Sequence, residues 1–155
     1  NLEAKYKASG WTLYQGITLA SVVQSEAGIM PLQDQKQVSQ VFTLRLKRGI
    51  VLGSDAIIAY RADQINPNRS KSDMSYLNMI PCPWNSRKCA GLPPTPISNP
   101  GKNALIAAAE PAEGDYLYFI SGYDTDGNLK MFYAHTEAEH NANIRNYCGD
   151  LCKSL

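Results

Sequence analysis

The chain has 155 residues, 44% apolar and 19% charged, with 15 Lys and Arg against 14 Asp and Glu. Those proportions describe one globular domain with its own core and exclude a disordered segment. A formal charge of +1 argues against holding nucleic acid or an anionic membrane surface by bulk electrostatics, which needs a basic excess.

The longest mostly apolar stretches, residues 16–23 and 104–109, fall far short of the roughly 20 residues of a membrane helix. The sequence opens on Asn1 without a charged-then-apolar leader, so we expect a piece of a longer protein. No period of about 20–50 residues recurs, which sets aside a repeat architecture.

In chain order, residues 12–27 predict a first helix. Leu13, Ile17, Leu19, Ala20, Val22 and Val23 fall on one arc at helical spacing, and Gly28 offers a stop. A second helix is expected from an N-cap at Asp34 through Val38, Val41, Phe42 and Leu46 to Lys47, Arg48 and a C-cap at Gly49. Together they read as a helical hairpin turning around Pro31. Residues 61–101 hold Pro81, Pro83, Pro93, Pro94, Pro96 and Pro100 and predict a long loop region, which in a compact domain is usually functional. Residues 102–109 read as a short helix. The runs 116–121 and 129–134 around Asp126-Gly127 predict a β-hairpin, and residues 136–147 a final helix. Helices first and a hairpin late give an α+β class.

Four cysteines, Cys82, Cys89, Cys148 and Cys152, allow two disulfides in any of three connectivities. Local pairing is the simplest, and Cys148 with Cys152 requires a helix break at Gly149. A zinc site is the rival, but the spacings fit a zinc knuckle poorly. Disulfides imply an oxidising, extracytoplasmic setting.

Glu26 stands out for chemistry. It lies inside the apolar arc of the first helix, where burial raises a carboxyl pKa toward the value a general acid needs. The alternatives are a cap for the hairpin loop or an ion pair with Arg45. Asp55, after Ser54 and before an apolar run, reads as part of an N-cap or as a second carboxylate opposite Glu26. The stiff run 91–97, with Pro93 and Pro94, can wall a groove or simply connect. Asp124 to Asn128 mimics an EF-hand opening, but Leu129 and His135 stand where glycine and glutamate are required. No phosphate-binding loop or nucleophile elbow is present. With His135 and His140 its only histidines, the chain cannot build a His-rich metal site, and His140 reads as a weak base or a locally bonded helix residue.

Several motifs in order carry a resemblance: residues 19–26 ending in Glu26, 41–49 around Arg45, 52–55, Trp84-Asn85-Ser86, Gly91-Leu92-Pro93-Pro94, 97–101, 115–119 and Glu139-His140-Asn141. From about Leu13 to Tyr147 the chain resembles the catalytic domain of the MltG/YceG-like endolytic murein transglycosylases. The resemblance implies a lyase that cleaves peptidoglycan glycan strands at the MurNAc–GlcNAc β-1,4 bond and leaves 1,6-anhydro-MurNAc ends, with Glu26 as sole acid and base and no cofactor. It implies Arg45, Ser54, Asp55, Asn85, Pro93 and Pro94 as residues lining or supporting a glycan groove. It further implies an extracytoplasmic domain of a membrane-anchored protein, working beside cell-wall synthases; the membrane helix and LysM-like domain of family members do not appear in these 155 residues. Departures are Gln24 for a usual acid, Gly53 for glutamine, Ala56-Ile57 for Pro-Thr and Leu44 for asparagine, while the cysteines look like an addition. Two other readings follow: a catalytically silent peptidoglycan-binding domain, and a muramidase-type hydrolase using Glu26 and Asp55.

Overall fold

The computed structural model describes residues 1–149. Among the described residues, seven α-helices precede or follow one two-stranded sheet, an α+β arrangement. Helix α1 (Leu2–Ala8) is followed by α2 (Leu13–Ala27), which starts at a reciprocal capping box between Thr12 and Gln15; both orphan donors at that end are thereby satisfied. Helix α3 (Leu32–Lys47) runs back alongside, completing the expected helical hairpin. It begins at Pro31, three residues before the expected cap: Asp34 lies in its first turn, where a carboxylate favours the positive end of the helix dipole.

Helix α4 (Asp55–Ile65) and the short α5 (Tyr76–Met79) come next. Regular structure therefore reaches into the region read as loop, because its first prolines lie only after Ile65. Helix α6 (Lys102–Ala109) packs against both α2 and α3. Its buried face is Ala104, Ala107, Ala108 and Ala109, side chains small enough for three helices to approach closely. The main core is Leu19, Val22 and Val23 of α2 with Val38 and Phe42 of α3 and this alanine face. Helix α1 joins it through Leu2 and above all Tyr6, which is fully buried against Gly16 and donates its hydroxyl to the Leu105 carbonyl at 2.8 Å. Burial pushes the Tyr6 phenol up to about 12.

Strands β1 (Tyr118–Tyr123) and β2 (Leu129–Ala134) pair antiparallel, with Tyr118 opposite Ala134 and Tyr123 opposite Leu129. Gly127 takes the turn at φ +79°, and the Asp124 carboxylate accepts from the Asp126 and Asn128 amides. The hairpin docks on α3. Phe119 meets Phe42 edge to face at 5.4 Å, and the Tyr133 hydroxyl donates to Asp34 at 2.8 Å. A second capping box, between Thr136 and Glu139, starts α7 (Glu137–Asn143), which continues into a π-helical turn, Ile144–Cys148.

Cys82 and Cys89 are joined as a disulfide. The expected bridge from Cys148 to Cys152 falls outside the described residues. Among the described residues, no helix is long and apolar enough to cross a membrane, and no cluster of three or more His, Cys, Asp or Glu side chains is placed to hold a metal ion.

Candidate active site

Glu26 is placed by the last turn of α2, one residue before the helix ends at Ala27. Its neighbours Val22, Val23 and Ala27 are fully buried, so the carboxyl is held where the helix enters the core. It is half-buried and lines a cavity of about 560 Å³, within the size range of small-molecule sites. One wall of the cavity is the segment from Leu52 to Ala56 entering α4. Phe119, Ile120 and Met131 of the hairpin, His140 of α7 and Ile144 of the π-helical turn also line it.

Burial is the largest influence on Glu26 and pushes its pKa up; the Ser54 hydroxyl bound to it acts in the opposite direction, and the negative charge of Asp55 again raises it. Ser54 occupies the N-cap position of α4, yet its side chain makes no cap bond and instead donates to Glu26 Oε1. Asp55, the first residue of α4, lines the same cavity and is held by Arg87 through two parallel bonds, Nε to Oδ1 and Nη2 to Oδ2, each 2.7 Å. Such a fork-on-carboxylate pair fixes orientation as well as charge.

The segment that presents Ser54 is itself stitched to the loop carrying Arg87. The Gly53 amide donates to the Ser86 carbonyl at 2.8 Å, and the Ser86 hydroxyl returns a bond to the Ser54 carbonyl at 2.6 Å. Asn85 is fully buried beneath them: its amide donates to the Leu77 and Ile80 carbonyls at 3.0 and 2.8 Å, and its oxygen accepts from the Arg87 amide. Asn85 thus shapes the loop without lining the cavity. Gly53 has φ +68°, a conformation that suits glycine and strains any side chain.

Arg45 lines the cavity, and two of its nitrogens donate to backbone: Nε to the Leu117 carbonyl at 2.7 Å, and Nη1 to those of Val51 and Leu52 at 3.2 and 2.9 Å. Its guanidinium also lies 5.1 Å from the centre of the Tyr118 ring. The Arg45–Glu26 ion pair considered from sequence does not form; Arg45 ties both cavity walls to α3. Gln24, where the resemblance expects an acid, accepts a bond from the Gly101 amide at 2.9 Å and anchors the loop before α6. Pro93 and Pro94 lie elsewhere, in a second depression of about 420 Å³ with Trp11, Tyr14 and Leu46, near the start of α2. They are not brought together with Glu26. The residue that sequence reasoning undervalued is His140, whose ring forms part of the cavity wall.

Fold and cavity together define an α+β domain built around one carboxyl group of raised proton affinity, held by a hydroxyl and facing a partly aromatic wall. The chain belongs to the YceG-like family, whose sequence model matches residues 1–146. It is 30% identical over 139 residues to a protein of Streptococcus pneumoniae named endolytic murein transglycosylase, covering 89% of this chain and 24% of that protein. A Bacillus subtilis protein of the same name is 30% identical over 140 residues, 90% of this chain and 36% of its own length. The chain thus spans about a quarter to a third of these curated relatives. In three dimensions it is similar to the crystal structure of a yceG-like protein from Listeria monocytogenes, with a TM-score of 0.71 and 29% identity over 90% of this chain and 41% of that one.

Proposed function

We propose that this chain is a peptidoglycan lytic transglycosylase domain in which Glu26 is both acid and base. The observation that carries the reading is the single carboxyl of raised pKa in a cavity of sugar-binding size, in a chain whose relatives are named endolytic murein transglycosylases. Protonated Glu26 delivers its proton to the glycosidic oxygen between the MurNAc and GlcNAc units. The resulting carboxylate takes the proton of the C6 hydroxyl on the same muramoyl ring as O6 bonds to C1, closing the 1,6-anhydro ring. The C1–O4 bond breaks, one proton leaves Glu26 and one returns to it, so no activated water and no second carboxylate are required.

Ser54 orients the acid, and Asp55 raises its proton affinity. Because Asp55 is committed to Arg87, it acts through its charge and not as a base directing water, which favours the lyase over a muramidase. Gln24 has a structural partner of its own, so the departure from an acid there does not favour a silent binding module. Asn85 and Arg45 support the cavity walls, and Pro93 and Pro94 would meet a strand only at a distance from the reacting bond. We read the whole chain as one catalytic unit. The Cys82–Cys89 bridge fits an extracytoplasmic cell-wall setting; a membrane anchor and synthase partners rest on the family resemblance.

The test is digestion of purified glycan strands with mass spectrometry of the new ends. Anhydro-muramoyl termini from the wild type, and none from Glu26→Gln, are expected; reducing termini overturn the reading.

A further inference from the structure

His140 has no role in the chemistry above, yet it lines the same cavity as Glu26. Its ring stacks on Tyr118 with centroids 5.1 Å apart and planes 25° from parallel, and the capping box of α7 fixes the helix that carries it. Its Nδ1 is buried and has no hydrogen-bond partner among the described residues. An orphaned buried N–H is rarer and costlier than an orphaned acceptor, so the ring proton belongs on Nε2. Burial first, and the Arg45 charge second, hold the imidazole below its usual pKa, with Glu137 opposing; the ring is therefore a neutral donor near pH 7.

We propose that His140 is the residue that selects the 2-acetamido sugar, its Nε2–H donating to the acetamido carbonyl of the unit beside the scissile bond. This rests on the glycan reading of the cavity. A neutral N–H donor matches a carbonyl oxygen and has nothing to offer an ammonium. The groups around it point the same way: Arg45 presents positive charge beside Tyr118, burial favours the protonated form of Glu26, and the Asp55 carboxylate is engaged by Arg87. A strand whose acetamido groups have been hydrolysed to amines loses the acceptor and gains a charge that Arg45 repels.

The experiment compares kcat/KM on N-acetylated strands with that on chemically N-deacetylated strands. The wild type prefers acetylated strands at least about tenfold, as sites built to hydrogen-bond a substrate group do. His140→Phe keeps the stack on Tyr118 but removes both nitrogens. Its preference falls to within about threefold, through loss on acetylated strands alone. His140→Gln, which retains an N–H donor, recovers part of the preference. A preference unchanged in His140→Phe, an equal loss on both substrates, or no preference in the wild type overturns the assignment. Calorimetric binding of both strands to Glu26→Gln and to its His140→Phe double variant reads the same preference without turnover. A strand that binds selectively through His140 but is never cleaved therefore defeats the lyase reading and leaves this one standing.

Discussion

The Ser54 hydroxyl donates to the Glu26 carboxylate from the position that begins α4, so the residue that would ordinarily cap a helix instead tempers the proton affinity that burial gives the candidate catalytic acid. Capping residues normally satisfy the first free amides of their own helix. Here the cap bond is given up, and the acid at the end of one helix is fixed to the start of another.

Two substitutions should move the activity of the domain along the pH axis in opposite directions. The Ser54 bond lowers the Glu26 pKa and the Asp55 charge raises it. Ser54→Ala therefore raises the pKa and carries the alkaline limb of the pH–rate profile upward; Asp55→Asn lowers it and carries that limb downward. Shifts in the same direction would separate the limb from Glu26.

Glu26→Gln should reduce strand cleavage by about 10²–10⁴-fold, the usual contribution of a general acid–base group. Its stability should move the other way. A carboxyl whose folded pKa is raised destabilises the fold progressively as pH climbs from the unfolded toward the folded pKa. The variant lacks that loss, so its melting temperature should exceed that of the wild type at pH 8, by a margin that shrinks below the ordinary carboxyl range. Thermal melts between pH 4 and 8 check it.

Reduction of the Cys82–Cys89 bridge, or the double change to alanine, should lower stability by about 2–3 kcal/mol on chain-entropy grounds for a loop this short. For a domain of this size that is a drop of roughly 5–10 °C. The closed loop also holds Asn85, Ser86 and Arg87, so cleavage measured well below the melting temperature should fall as well. A lower melting temperature with unaltered kcat would show that the loop keeps its contacts without the bond.

Asn85→Ala leaves the Leu77 and Ile80 carbonyls buried without their donor, a loss of about 2–4 kcal/mol. Because Asn85 does not touch the cavity, kcat per folded molecule at low temperature should stay within about threefold of wild type, the scale of a sub-kcal change in barrier. Arg45→Lys should be more disruptive than a like-for-like charge suggests, since one ammonium cannot reach the Leu117, Val51 and Leu52 carbonyls together. Chemical denaturation of both variants provides the comparison.

The helical hairpin, the late β-hairpin and the isolated acid were legible because each is written in local periodicity: Leu19, Val22 and Val23 mark the buried face on which Glu26 sits. Helix α1 was not, since seven residues with one buried side chain, Tyr6, carry too little pattern. The start of α3 was misplaced because Asp34 resembles a cap, while the chain enters the helix earlier at Pro31. The partners of Asp55 and Arg45 are settled by tertiary geometry that spacing does not encode: Arg87 is 32 residues from Asp55, and Leu117 is 72 from Arg45. Pro93 and Pro94 read as a groove wall, and they do border a depression, but which one depends on how the loop crosses α2. His140 looked ordinary because nothing local reveals that α7 folds back against Tyr118.

The cavity draws Glu26 from near the start of the chain and His140 and Ile144 from beyond residue 139. Gly122 receives the Tyr147 backbone so closely that any side chain there would collide with it, so the part of the lining from α7 and the π-helical turn is seated by nearly the last residues described. A polypeptide emerging from the ribosome or a translocation pore thus carries its acid long before it has a site. The cavity lining is complete only once the chain has been made through Ile144 and the Tyr147 backbone has settled on Gly122, an order of assembly written into the order of the sequence.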